Sequence, residues 1–322
     1  MNGNNILIIG PKFFGYEEFL IKKCNELNFN AKFYDERLKG FLFKAIVRLK
    51  FKKVISLLIY LKYLRLIKKY KNTEFDKILI ISPETIDKRS MLLLKNNFYN
   101  SKFILYMWDS LANKNSIEII KYFDKKITFD NNDAKNYNDF EFLPLYYIDE
   151  VYHNLNISLK KYDIALIASL HSDRFQIFKE FYKIAKDKSL NFYFHIYTKN
   201  ILLYFYFKYI KKIKGLELKY IKFKSLSFKQ INKIYNNSKA VIDINHNLQN
   251  GLTNRTFEVL ASNTKLITFN SNINSYDFYT PENIKILNRS KIEIDNEFIN
   301  NPFKEISLKN YEVKNWLLNI LN

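Results

Sequence analysis

Short apolar runs separated by polar or amphipathic stretches recur along the whole chain. The clearest are residues 5–10 (NILIIG), 102–107 (KFILYM), 162–168 (YDIALIA), 240–244 (AVIDI) and 266–269 (LITF). They are too short for helices and lack strict alternation, so they predict strands covered on both faces of a sheet. Weaker runs at 31–34, 75–82, 127–130, 142–145, 191–197, 216–221 and 284–287 extend the set. Between them, residues 17–28, 90–96, 174–187, 201–214, 225–236 and 313–321 read as helices. Strand and helix in alternation predict an α/β fold with parallel sheets.

A chain of 322 residues suits two domains of ordinary size. The expected division is 1–150 and 151–322, with the polar stretch 149–160 as linker. The opening strand–Gly10–loop–helix pattern suits a Rossmann-like half, without the three-glycine spacing of a dinucleotide site. No leader pattern precedes the first strand, and no uncharged run reaches the roughly 18–20 residues of a membrane span. Cys24 is the single cysteine, which excludes an internal disulfide and fits a reducing compartment. The net charge of +20 implies an anionic partner: a phospholipid surface, a nucleic acid or a phosphorylated substrate.

That charge is concentrated in residues 41–71, which hold ten Lys or Arg and no acid. Leu57, Leu61 and Leu64 recur at helical spacing there. The segment reads either as a basic amphipathic helix lying on an anionic membrane, or as a core-facing helix with a solvated basic face.

Residues 240–270 read as strand, loop, helix, strand. The loop contains Gly251, and Thr253 or Asn254 can cap the helix. A loop and helix N-terminus at the carboxyl end of a parallel strand suit an anion such as a diphosphate. Arg255 in the first turn is expected to reach outward to that anion. Glu258, one turn on, can accept hydrogen bonds from vicinal hydroxyls such as those of a ribose. A surface Arg–Glu pair on a plain βαβ unit is the other reading. A second strand–loop–helix junction runs from Ser169 through His171 to Arg174, with Ser172 or Asp173 as cap.

Asp243, Gln249, Gly251, Leu252, Thr253, Asn254, Arg255, Thr256 and Glu258, followed by 265–268 and 276–279, resemble the donor-binding domain of GT-B glycosyltransferases. The closer likeness is to bacterial capsule and lipopolysaccharide enzymes grouped with spore-maturation CgeB-like proteins. The resemblance implies two Rossmann-like domains facing each other across a cleft, the first binding acceptor and the second a nucleotide-sugar donor. It implies ribose binding by Glu258 and diphosphate contacts from Gln249 to Arg255 and at Ser169, His171 and Arg174. The last helix would pack back on the first domain. Many retaining relatives carry a Glu eight positions before the ribose-binding one; Asn250 stands there, so the stereochemical outcome stays open.

The loop after the first strand lines the cleft in such enzymes, which makes Phe14, Gly15 and Tyr16 acceptor-side candidates beside the reading of a plain turn. Trp108 and Asp109 end the run at 102–107, where α/β sheets place ligand groups. Asp109 is a candidate general base, its pKa raised by the aromatic neighbour; Asp109 or Ser110 as a helix cap is the alternative. The expected activity is sugar transfer from a nucleotide sugar to a surface-glycan acceptor, lipid-linked, with Arg255 neutralising the leaving group. No Asp-x-Asp triplet and no His/Cys cluster appears, so no metal or other cofactor is expected. The expected location is cytoplasmic, peripheral on the inner face of the membrane through residues 41–71. The alternatives are a basic nucleic-acid-binding protein, for which no motif is present, and a nonenzymatic GT-B-like scaffold.

Overall fold

A computed structural model describes residues 4–12, 15–38, 52–111, 117–152, 160–171, 173–246 and 250–322. Phe14, Gln249, Ser172 and the 41–51 part of the basic segment lie outside the described residues. The chain forms two compact units, residues 1–144 with 313–322, and residues 145–312.

The first unit holds β1 (Asn5–Gly10), β2 (Asn30–Asp35), β3 (Lys77–Ile81), β4 (Lys102–Met107), β5 (Lys125–Thr128) and β6 (Glu141–Phe142). They form one parallel sheet in the order β2-β1-β3-β4-β5-β6. β1, β3 and β4 are buried almost throughout because helices cover both faces of a parallel sheet. β1 and β3 approach closely at their ends: a Cβ on Gly10 would meet Ile81 at 3.2 Å. The terminal helix Val313–Leu321 belongs to this unit, with Trp316 edge-on to Tyr106 at 4.7 Å.

The helix Lys52–Lys69 makes up most of the described part of the basic segment 41–71 and has a buried face and an exposed one. Ile59, Tyr63, Leu66 and Tyr70 lie in the hydrophobic core of the first unit. Val54, Leu57, Leu61 and Leu64 form an exposed apolar stripe at spacings of three and four. No described helix is long and apolar enough to cross a membrane.

The second unit holds β7 (Tyr162–Ser169), β8 (Phe192–Tyr197), β9 (Ile221–Lys222), β10 (Ser238–Asp243), β11 (Lys265–Thr268) and β12 (Ile284–Ile286). Their order is β12-β11-β10-β7-β8-β9, again all parallel. The chain winds outward one way from β7 and then the other way from β10. The strand order therefore reverses between β7 and β10, the place where open α/β sheets bind ligands. Phe175, Phe178 and Phe181 on the helix Arg174–Asp187 pack with β7 and β10 residues into the core of this unit.

Several expected elements differ: the strand expected at 142–145 is confined to Glu141–Phe142, and the helix expected at 201–214 closes in a π-helical turn at Ile210. Residues 216–221, expected as a strand, contribute only Ile221–Lys222 to the sheet, after a 3-10 turn over Leu218–Tyr220. Within the expected linker stands a short helix, Asp149–Tyr152, whose Tyr152 is fully buried.

Candidate functional site

The reversal between β7 and β10 is spanned by Arg174. Its Nη1 donates to His171 Nε2 at 2.9 Å, and its Nη2 donates to the Ile244 carbonyl at 3.1 Å. Arg174 thus joins the loop after β7 to the loop after β10. Burial, with Arg255 nearby, lowers its pKa to about 10 against the opposing pull of Asp243 and Asp173. His171 is pushed down to about 4 by burial first, then by Arg174 and His246. The imidazole is therefore neutral near pH 7 and accepts the Arg174 hydrogen bond.

A further arginine completes this edge. Arg289, just beyond β12, donates to the Asn245 carbonyl at 2.7 Å and to its side chain at 3.1 Å. It also pairs with Asp173 and lies 5.1 Å from the Phe269 ring. Asp173 occupies the N-cap position of the helix Arg174–Asp187, yet makes no capping hydrogen bond. The expected cap is lost because the charged pair with Arg289 competes for the same carboxylate.

The helix Asn254–Ala261 behaves likewise. Thr253 is its N-cap residue without a side-chain cap bond; its hydroxyl instead donates to Asp243 at 2.6 Å. Asp243, 2 % exposed at the end of β10, also accepts from Thr256 at 3.2 Å and Arg255 at 3.3 Å. Arg255 was expected to reach outward; it is held inward by Asp243 and by the Tyr235 hydroxyl at 3.2 Å. A buried carboxylate needs a counter-charge, and Arg255 is paired with it directly. Burial disfavours its charge, but Tyr235 and Asp243 overcome this and leave its pKa raised.

Glu258, 5 % exposed, sits one turn beyond Arg255. The Tyr152 hydroxyl is driven far up in pKa by burial and then by the Glu258 carboxylate. Tyr152 stacks on Tyr235 at 6.2 Å, so Asp243, Arg255, Tyr235, Tyr152 and Glu258 form one continuous group.

The loop before the helix is held by its backbone. Asn270 donates to the carbonyls of Asn250 at 3.0 Å and Gly251 at 3.2 Å, and Asn272 donates to Asn250 at 3.1 Å. Asn254 donates to the Tyr146 carbonyl at 2.8 Å, and Leu252 is buried. The second unit thus gathers His171, Arg174 and Arg255 around the ends of β7 and β10, with Ser169 as the last residue of β7, Asn254 opening the helix that carries Arg255, and Glu258 one turn further along it.

In the first unit, Gly15 caps the helix Tyr16–Glu26 with φ of 90°, a left-handed conformation natural to glycine. Tyr16 is buried. Asp109 is half-buried beyond β4 and accepts from Ser82 at 3.3 Å. Ser82, fully buried beyond β3, has φ of 42°, a strained conformation for a serine. The Leu111 amide donates to Asp133 at 2.7 Å. Glu36 is also buried and accepts the Glu84 amide at 2.6 Å; burial raises its pKa against that hydrogen bond. No group of three or more His, Cys, Asp or Glu placed to hold a metal occurs among the described residues.

Arg289, Tyr152, Tyr235, Asn270 and Ser82 were not singled out from sequence. The one available signal was position: Ser82 ends one predicted strand and Arg289 closely follows another, where ligand groups collect.

No family model matches the chain, and no curated protein matches it. Solved structures do. The E. coli trehalose-6-phosphate structure bound with UDP-2-fluoro glucose is 11 % identical, covers 82 % of this chain and 84 % of its own, and gives a TM-score of 0.52. HepE from Anabaena in complex with UDP-glucose is 10 % identical over 82 % of this chain and 80 % of its own, at 0.50. The N-terminal domain of Candida albicans trehalose-6-phosphate phosphatase is 11 % identical over 99 % and 96 %, at 0.55. At these identities the likeness establishes the fold: α/β, with two Rossmann-like units.

Proposed function

We propose that the chain is a glycosyltransferase of the GT-B kind, moving a sugar from a nucleotide-sugar donor to a surface-glycan acceptor without a metal ion. The observation that carries this reading is Arg174 bridging His171 and Ile244 where the strand order reverses, with Arg255 and Arg289 beside it. Three guanidinium groups at one strand edge suit a diphosphate, and two of the solved structures of this fold contain a UDP-sugar. In this reading Ser169, His171, Arg174 and the loop from Gln249 to Asn254 hold the diphosphate. Glu258 accepts from the ribose hydroxyls. Arg255, pinned by Asp243 and Tyr235, cannot swing away. It meets the charge that grows on the departing diphosphate as a fixed cation, which lowers the barrier without reorganisation.

On the acceptor side the residues are Phe14, Gly15, Tyr16, Trp108 and Asp109. If configuration is inverted, Asp109 takes the acceptor proton, oriented by the Ser82 hydroxyl. If it is retained, the donor phosphate takes it. The exposed stripe Val54, Leu57, Leu61 and Leu64 supports contact with an anionic membrane that carries a lipid-linked capsule or lipopolysaccharide acceptor, and a peripheral cytoplasmic placement.

A panel of nucleotide sugars incubated with the protein tests the reading. Release of one nucleoside diphosphate, lost in Arg174→Gln, is the expected result. Release from none of them, with or without anionic vesicles and candidate acceptors, contradicts it.

A further inference from the structure

Among the described residues of the second unit the most exposed apolar surface is the segment 201–210, and nothing in the proposed chemistry uses it. It begins as the helix Ile201–Phe205, started by Asn200, whose side chain accepts the Leu203 amide at 2.9 Å. It continues as a π-helical turn, Tyr206–Ile210, closed by Lys211 donating to the Tyr206 carbonyl at 3.0 Å. Tyr204 is buried in the core of the unit, and Phe207 and Ile213 pack against that core. The segment is therefore held in place by an inner face.

Its outer face is apolar. Leu202 is 75 % exposed, Ile210 68 % and Tyr209 61 %, with Phe205 and Tyr206 exposed beside them. Tyr209 and Ile210 stand on the wide turn, an uncommon conformation that recurs at functional sites. Along this stretch of chain the charge is almost entirely of one sign. Between Asp187 and Asp243 the chain has twelve lysines and a single acid, Glu217. Lys211, Lys212 and Lys214 directly follow the apolar tip and are exposed. Lys208 lies 5.6 Å from the Tyr209 ring and Lys211 5.9 Å from that of Tyr206, an aromatic and cationic rim around aliphatic groups.

We propose that residues 201–214 dock the second unit on an anionic lipid surface, with Leu202, Tyr209 and Ile210 entering the headgroup boundary and Lys208, Lys211, Lys212 and Lys214 pairing with lipid phosphates. The two most exposed apolar side chains of the segment, Leu202 and Ile210, are aliphatic and gain by entering an apolar phase, whereas neither offers a single-stranded nucleic acid a face for stacking. A partner protein of ordinary charge would leave this dense block of lysines mostly unanswered, and an anionic bilayer answers all of them. The surface extends the lipid reading of the helix Lys52–Lys69 but belongs to a different unit and rests on different residues.

The test uses the full chain. Leu202→Cys, labelled with a solvent-sensitive fluorophore, reports this surface; Tyr99→Cys, 79 % exposed in the first unit, is the control, and native Cys24 is buried. Vesicles of phosphatidylcholine with phosphatidylglycerol should shift the 202 emission to the blue, and pure phosphatidylcholine or high salt should remove most of that shift. Leu202→Glu with Ile210→Glu should lower the vesicle-bound to free ratio about tenfold or more. Lys211→Gln and Lys212→Gln should lower it roughly fivefold each. Leu57→Glu, in the other helix, should leave the 202 blue shift in the bound fraction intact. Flotation with no change in emission at 202 overturns the proposal while leaving the first-unit helix as the lipid contact. Absence of flotation overturns both. A blue shift without vesicles that grows with protein concentration identifies a second copy as the occupant and overturns the lipid assignment. None of these outcomes depends on catalysis.

Discussion

Arg255 donates to the carboxylate of Asp243 at 3.3 Å, and this ion pair joins the end of β10 to the first turn of the helix that also carries Glu258. Asp243 accepts from Thr253 and Thr256 as well, so one carboxylate sets the start of that helix and the direction of its arginine. A group proposed to stabilise departing charge is thus positioned by the fold before any ligand arrives.

Removing Asp243 leaves a largely buried guanidinium without its counter-charge. Asp243→Ala should destabilise the protein by about 3–5 kcal/mol, and Asp243→Asn by less, because the amide oxygen still accepts hydrogen bonds. Urea unfolding followed by circular dichroism measures both. A loss below about 1 kcal/mol for Asp243→Ala would remove Asp243 from this role.

His171 makes stability depend on pH. Its pKa is lowered from 6.5 in the unfolded chain to about 4 in the folded one, by burial and by the neighbouring Arg174. The unfolded state therefore binds the proton first. Its contribution to stability is complete above pH 6.5 and falls as pH drops toward 4, by on the order of 2 kcal/mol for a partly solvated group. Melting temperatures from pH 7 to 4 should show this slope, and His171→Asn should flatten part of it. An anion bound at Arg174 favours the charged imidazole, so affinity for a nucleoside diphosphate should gain a His171-dependent rise as pH falls toward 4. An unchanged affinity would detach His171 from the anion site.

Trp316 is 1 % exposed and meets Tyr106 edge-on, so the last helix fills the first unit rather than decorating it. Trp316→Ala should cost about 3–5 kcal/mol. Thermal unfolding of the variant measures the loss.

Arg289→Gln breaks the pair with Asp173 and weakens the ties to Asn245. It should cost about 1–2 kcal/mol of stability and lower nucleoside-diphosphate affinity by roughly tenfold. Isothermal titration against wild type measures the second effect. Equal affinities would confine Arg289 to a structural role.

The parallel strands were legible because both their faces are buried. β1, β4 and the helices Arg174–Asp187 and Val313–Leu321 have the expected ends, and those of β7 and β10 lie within two residues of the expected ones. Long-range polar choices were not legible. Local spacing marks Thr253 and Asp173 as caps, but Asp243 and Arg289, distant in sequence, claim their side chains. Arg255 has a helical position that points to solvent on a lone helix; only the approach of β10 and the helix Phe228–Asn236 turns it inward. The strand expected at 216–221 shortened because much of that stretch, including Leu218 and Lys219, is exposed and winds into a tight turn. The basic segment admitted two readings, and the helix Lys52–Lys69 carries a buried face and an exposed leucine stripe together.

The direct test of the central claim is the melting temperature with and without nucleoside diphosphates. Wild type should be stabilised by one of them, by about 4–8 °C at roughly a hundred times its Kd, and inorganic phosphate at equal concentration should do far less. Glu258→Gln, which keeps the size and hydrogen-bonding capacity of the buried side chain, should fold and lose most of the preference for diphosphate attached to ribose. No stabilisation of wild type by any nucleoside diphosphate, or an undiminished shift in Glu258→Gln and Arg174→Gln together, would contradict the account.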